Sequence, residues 1–105
     1  MISVKIHKSY KDVIAVCDSN LIGKRFEEKF EKGIKQLDCR ENFYKNEEVS
    51  YEKAVEIMKF QSKEDATFNI VGEKAIKAAI EAGVITKYSI GSVDKIPYAL
   101  VLLWF

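Results

Sequence analysis

The stretch ATFNIVGEKAIKAAIEAGVI, residues 66–85, constrains the fold more than any other part of this chain. An alternating apolar segment runs into Gly72, and an Ala- and Ile-rich pattern of helical period follows and stops at Gly83. A strand joined to a helix by one glycine needs a sheet on which the helix can lie. The same arrangement can present unpaired backbone N–H groups to an anion, which makes Gly72 and Lys74 an anion-binding candidate. Glu73 opposes this, because its carboxylate already complements the helix N-terminus and repels a second anion. A lone glycine also falls short of the G-x-G-x-x-G fingerprint. The turn reads as a corner that locks a helix onto a sheet.

The rest of the chain supplies that sheet. In MISVKIH, Ile2, Val4 and Ile6 alternate with Ser3, Lys5 and His7, as in a strand with one face in the core. VIAVC (13–17) is continuously apolar, as a strand buried on both faces should be, and it is expected to pair with the first strand as a hairpin. DSNLIGKRFEEKFEKG (18–33) is predicted as a first helix, capped by Asp18 or Ser19, with Ile22, Phe26 and Phe30 as its buried stripe and Gly33 after its last turn. IKQLDCR (34–40) follows as a short strand with Leu37 and Cys39 on one face, then a polar loop over 41–49. Ser50 opens a helix lined by Tyr51, Ala54, Val55 and Met58. The helix from Glu73 to Ala82 is expected to bury Ile76, Ala79 and Ile80, its alanines allowing close approach to a neighbour. KYSIGSVDK reads as a short strand and turn, and YALVLLW as a final strand inside the sheet, with Pro97 near its edge. The expectation is a single domain over residues 1–105, α/β in the broad sense (α+β), with a mixed sheet of five to six strands covered by about three helices.

Composition excludes several functions. The chain has 105 residues, a net charge of +1, and 48% hydrophobic and 31% charged residues, so it carries no strongly basic nucleic-acid arm. The first 40 residues hold nine Lys and Arg against six acids, and the remainder eight against ten, which puts a weak basic bias in the first third. Lys5, His7 and Lys8 interrupt the start where a secretory leader would be apolar, and the ten-residue run 96–105 contains Pro97 and is too short to span a bilayer. A cytoplasmic location without membrane contact is expected. No H-E-x-x-H, C-x-x-C or nucleophile elbow occurs, and LIGK (21–24) lacks the upstream glycine of a P-loop. Cys17 and Cys39 are too few for a zinc site and read as buried thiols; they could pair only if their strands are neighbours. Asp12, Asp18 and Asp38 could cluster at strand ends, but so could carboxylates of any α/β domain. No catalytic residue, metal or cofactor is assigned, and the protein is expected not to be an enzyme.

What remains is basic and aromatic. On a helix over 18–33, Arg25, Lys29 and Lys32 fall within an arc of about 60° and would form one ridge, joined by Lys24 and able to follow a phosphate backbone. The alternative is an ordinary solvated face with local Glu–Lys pairs. CRENFYKN adds Arg40, Tyr44 and Lys45; here Tyr44 could stack an unpaired base or plug the core, while Phe43 reads as a plug. His7, Lys8, Tyr10 and Lys11 make a smaller cluster of the same type, with His7 exposed on its strand.

The segments VCDSNLIGKRFEE, QLDCRENFYK, ATFNIVGEKAI and IPYALVL, in this order and over nearly the whole chain, resemble the small archaeal proteins grouped as domain of unknown function 424. The resemblance implies an RNA-binding protein of translation, with ribosomal RNA and ribosomal proteins as partners. It supplies no catalytic residues to carry over. RNA binding at a ribosomal subunit is therefore the leading expectation. A protein-interaction module without RNA contact is the alternative, and a small-anion or nucleotide binder or an enzyme at the Gly72 turn the second alternative.

Overall fold

The computed structural model describes residues 1–102. Two antiparallel strands, β1 (Ile2–His7) and β2 (Val13–Asp18), open the chain, paired from Ile2↔Asp18 to His7↔Val13 as the hairpin expected from sequence. After a short 3-10 turn (Ser19–Leu21) come β3 (Arg25–Phe30) and β4 (Gly33–Asp38), a self-contained antiparallel hairpin. A four-residue helix α1 (Glu41–Tyr44) and the strand β5 (Glu47–Val49) lead into helix α2 (Tyr51–Lys63). The unit β6 (Thr67–Val71) and α3 (Glu73–Glu81) follows, then β7 (Gly91–Val93) and β8 (Ile96–Val101). Among the described residues, six strands form a mixed sheet in the order β5-β1-β2-β6-β8-β7, with β2 and β6 parallel and the other pairs antiparallel. With the separate hairpin and the three helices, this is an α+β fold. Leu103 and Trp104, assigned to the last strand from sequence, lie outside the described residues.

The segment 18–33 corrects the sequence reading: it is a turn and a hairpin strand, not a helix. A spacing of four residues satisfies both the helical period of 3.6 and the strand period of 2, so Phe26 and Phe30 share a face either way. The carboxylate expected to cap that helix is spent elsewhere. The stripe is also shallower than predicted: Phe26 is half-buried and Phe30 is exposed.

α2 begins as predicted, with the Ser50 side chain accepting from the Lys53 N–H at 3.1 Å, and buries Ala54, Val55 and Met58. α3 buries Ala75, Ile76, Ala78 and Ala79, whereas Ile80 is 41% exposed, contrary to expectation. Its end is the predicted one: the Val84 N–H reaches back to the Ala79 carbonyl at 3.0 Å past Gly83.

β2 separates two cores, because its continuous apolar run faces both ways. Ile14 and Val16 join Ile2, Val4, Phe68 and Ile70 under α2 and α3. Ala15 and Cys17 face the opposite side with Leu21, Cys39, Tyr44 and Val71, beneath α1 and the hairpin. That second face is only partly covered. Register places Lys5, Ala15, Asn69 and Leu100 in one row across it, and Ser3, Cys17, Val71 and Tyr98 in the next.

Candidate nucleic-acid interface

α1 is tied down over the second sheet face by the polar side of β1. The Ser3 hydroxyl donates to the Tyr44 carbonyl at 2.8 Å and accepts from the Asn46 N–H at 3.0 Å. Lys5 Nζ donates to the Asn42 carbonyl at 2.6 Å, and His7 Nε2 donates to the Phe43 carbonyl at 2.8 Å. The His7 and Phe43 rings stack with centroids 4.6 Å apart. Donation from Nε2 makes His7 an anchor for α1. The residues that look exposed and polar along β1 thus serve as attachment points.

This attachment fixes Tyr44. Its side chain is 7% exposed and sits against Cys17 and Cys39, so the prospect of its stacking an unpaired base in the open is corrected: it is a core plug with an edge on a groove. Burial pushes its phenol pKa above the ordinary value, with the neighbouring thiols adding to the rise. Cys17 and Cys39 are both buried free thiols packed into the same core, with the Cys17 thiol donating to the Asp18 carbonyl at 3.4 Å. Hydrogen bonding to Cys39, then burial, raises the Cys17 thiol pKa, leaving it protonated and unreactive at neutral pH. The three aspartates do not cluster. Asp12 pairs with Lys8 at 3.0 Å, Asp18 caps α3, and Asp38 ends β4; among the described residues no group of three could hold a metal ion.

At the Gly72 turn an anion is already in place. Asp18 Oδ1 accepts the Ala75 N–H at 2.8 Å and Oδ2 the Lys74 N–H at 3.1 Å, so a carboxylate from β2 occupies the N-terminus of α3. Gly72 has φ of +107°, and a β-carbon there would lie 2.6 Å from Asp18 Oδ2. The Lys74 backbone N–H that would have received a phosphate is thereby engaged.

The basic residues lie along the hairpin and α1 rather than on a helical ridge. Arg25 and Lys29 share the face of β3 that also carries Glu27, and Arg25 is bonded to Glu27 at 3.1 Å. Lys32 sits in the turn between the strands. Lys24 is locked to the base of the hairpin, where its carbonyl accepts the Cys39 N–H at 2.9 Å, placing it beside Arg40. Lys45 follows α1. Lys24, Lys29, Lys32, Arg40 and Lys45 are exposed and form no ion pair among the described residues. The hairpin is braced at its far side, where Glu28 Oε1 accepts the Asp94 N–H at 2.9 Å. The smaller cluster at the β1–β2 turn, with Tyr10 98% exposed, rims a shallow hollow of about 580 Å³ with Phe60 and Gln61, and its Lys8 is engaged by Asp12.

Between β4 and the open part of the sheet runs a groove of about 270 Å³, lined by Gln36, Asp38, Tyr44, Asn69, Tyr98 and Leu100 among others. Sequence reasoning passed over Asn69 and gave Tyr98 no part in a site. The one signal was a polar residue inside a strand whose alternate positions, Phe68 and Ile70, are core. A β-carbon on Gly91 would lie 2.8 Å from Tyr98 Cζ, so the glycine makes room for the ring on β8.

The fold and this face define a small α+β protein with a partly covered sheet and a cation-bearing hairpin laid across it. Residues 6–103 match the family described as "Protein of unknown function (DUF424)", and the chain belongs to that family. The crystal structure of an uncharacterized conserved protein from Methanopyrus kandleri shares the fold, with a TM-score of 0.77 over 99% of this chain and 95% of that one at 23% identity. No functionally curated protein matches the sequence. No helix among the described residues is long and apolar enough to cross a membrane.

Proposed function

We propose that this protein is a non-enzymatic RNA-binding protein of the translation apparatus in the cytoplasm, held at a ribosomal subunit by RNA and by neighbouring ribosomal proteins. One observation carries the reading: five exposed cations, Lys24, Lys29, Lys32, Arg40 and Lys45, have no acidic partner within ion-pair distance among the described residues and lie along one hairpin and the helix beside it. Unpaired cations on a projecting element favour phosphate contact, because no internal ion pair must be broken. The near-neutral net charge fits a site that depends on shape and on a few contacts. Sedimentation of cell lysate through a gradient at low and high salt tests this. Co-migration with a ribosomal subunit at low salt and release at high salt is expected; a protein confined to the top fractions at low salt overturns ribosome attachment.

The exposed apolar side chains of Phe30 and Ile34 near the hairpin tip favour a second reading, a protein-interaction module. Reversing the five charges separates the two. Retention of a co-purifying protein together with unaltered RNA association would support the second.

A further inference from the structure

The groove between β4 and the sheet carries a chemistry that the cations do not explain. Asn69 is a polar residue in the middle of a row formed by Lys5, Ala15 and Leu100, and its carboxamide has no hydrogen-bond partner among the described residues. Asp38, at the end of β4, lines the same groove and is also without an ion-pair partner. Tyr44 and Tyr98 complete the walls. Tyr98 is positioned by the space that Gly91 leaves, and Tyr44 by the Ser3 anchor. At about 270 Å³ the groove lies just below the usual range of small-molecule sites, about 300–1,000 Å³, and suits a single ring system. Two unpaired cations lie close to it along the chain, though neither lines it. Arg40 is two residues beyond Asp38, within about 7 Å of chain, and Lys24 is hydrogen-bonded to the intervening Cys39.

A carboxylate only accepts hydrogen bonds, whereas a carboxamide both donates and accepts. Of the four RNA bases, guanine alone offers two adjacent donors, N1–H and N2–H, next to an acceptor, O6. A carboxylate takes the two donors, and the Asn69 amide donates to O6. The half-buried ring of Tyr98, with the edge of Tyr44 beside it, suits a base removed from its stack, and cations nearby along the chain suit its phosphate.

We propose that this groove binds one unpaired guanine base of RNA, with Asp38 and Asn69 reading its Watson–Crick edge and Lys24 and Arg40 meeting the adjoining phosphate. The proposal rests on the RNA reading above and names what the site selects. Two measurements on the full chain keep the two claims apart. In the first, 5′-GMP, AMP, CMP and UMP are titrated against the ¹⁵N-labelled protein by NMR. The expected result is that GMP shifts the Asn69 side-chain amide and the backbone amides of Tyr98 and Ala99 at concentrations at least tenfold below the other three. In the second, fluorescence anisotropy compares short single-stranded RNAs of UG repeat and of uridine alone. The wild type should prefer the UG repeat at least fivefold. Asp38→Asn, at an exposed position that leaves the fold intact, and Asn69→Ala should each remove the preference while leaving binding of the uridine RNA within twofold. If RNA binds but the groove is silent to GMP and the preference is absent or survives both substitutions, the guanine site is overturned and the RNA reading stands. If GMP moves the groove but no RNA binds, the site holds and the RNA reading falls. If neither ligand binds, both fall.

Discussion

Asp18 and Gly72 are matched to each other: the carboxylate of one fills the space that any side chain on the other would need. The contact joins the end of β2 to the start of α3 and satisfies two N–H groups of that helix. Replacing Asp18 by Ala removes a buried cap, and we expect a loss of about 1–2 kcal/mol in urea unfolding. Gly72→Ala should cost more, because it combines strain at positive φ with steric overlap. The double variant should be less destabilised than the sum of the two, since removal of the Asp18 carboxylate relieves part of the overlap. Additive costs would show that the two residues act independently.

Ser3 should matter more than a small polar residue in a strand suggests. Ser3→Ala leaves the Asn46 N–H without its acceptor and the Tyr44 carbonyl without its donor, at a cost of about 1–3 kcal/mol. Amide exchange at Asn46 should accelerate relative to α2 if α1 loosens on its own. Unchanged exchange would place the anchor elsewhere.

Tyr44 predicts a loss of stability in alkali. Its phenol pKa is raised in the folded state by burial, so the contribution is complete below the unfolded value near 10.0 and is lost as the pH climbs above it toward the folded value. In that window the unfolded chain releases a proton that the folded chain keeps, and stability falls by at most about 1.4 kcal/mol per pH unit from this group. Denaturant midpoints measured between about pH 9 and 11 should drop more steeply for the wild type than for Tyr44→Phe. Parallel slopes would refute the assignment.

The charge of the hairpin and α1 should set the salt dependence of RNA binding. With three to five phosphate contacts, affinity should fall by roughly one to two orders of magnitude between 50 and 200 mM salt. Reversing Lys24, Lys29, Lys32 and Arg40 to Glu should abolish most of that dependence while circular dichroism stays native, because these side chains are exposed and make no internal ion pair. A variant with the same salt slope as the wild type would remove the hairpin from the interface.

Much of this fold was legible wherever a pattern had a single structural solution. MISVKIH alternates strictly, VIAVC does not alternate at all, and the pair gave both the hairpin and the strand buried on two faces. Ser50 and Gly83 marked helix ends because caps are local chemistry. The segment 18–33 misled because its apolar residues recur every four positions, a spacing that fits a helix and a strand equally, while its charges alternate in sign in a way that suits either. Asp18 was legible as a cap, but its helix begins 55 residues later, at Glu73, and only the parallel pairing of β2 with β6 brings them together. The groove was hidden for the same reason. Asn69 means little in TFNIV until register sets it between Ala15 and Leu100 and the hairpin supplies the opposite wall.

The two cores share a wall in β2, and this has a dynamic consequence. Its amides are bonded to β1 on one side and β6 on the other, and its side chains are packed above and below. Deuterium should enter Val16 and Cys17 only when the whole domain melts. β3 and β4 are bonded only to each other within the described sheets, so their amides can exchange by separate breathing. The molecule therefore has a slow-exchanging spine with a faster arm laid across it, and that arm carries two of the unpaired cations, Lys29 and Lys32.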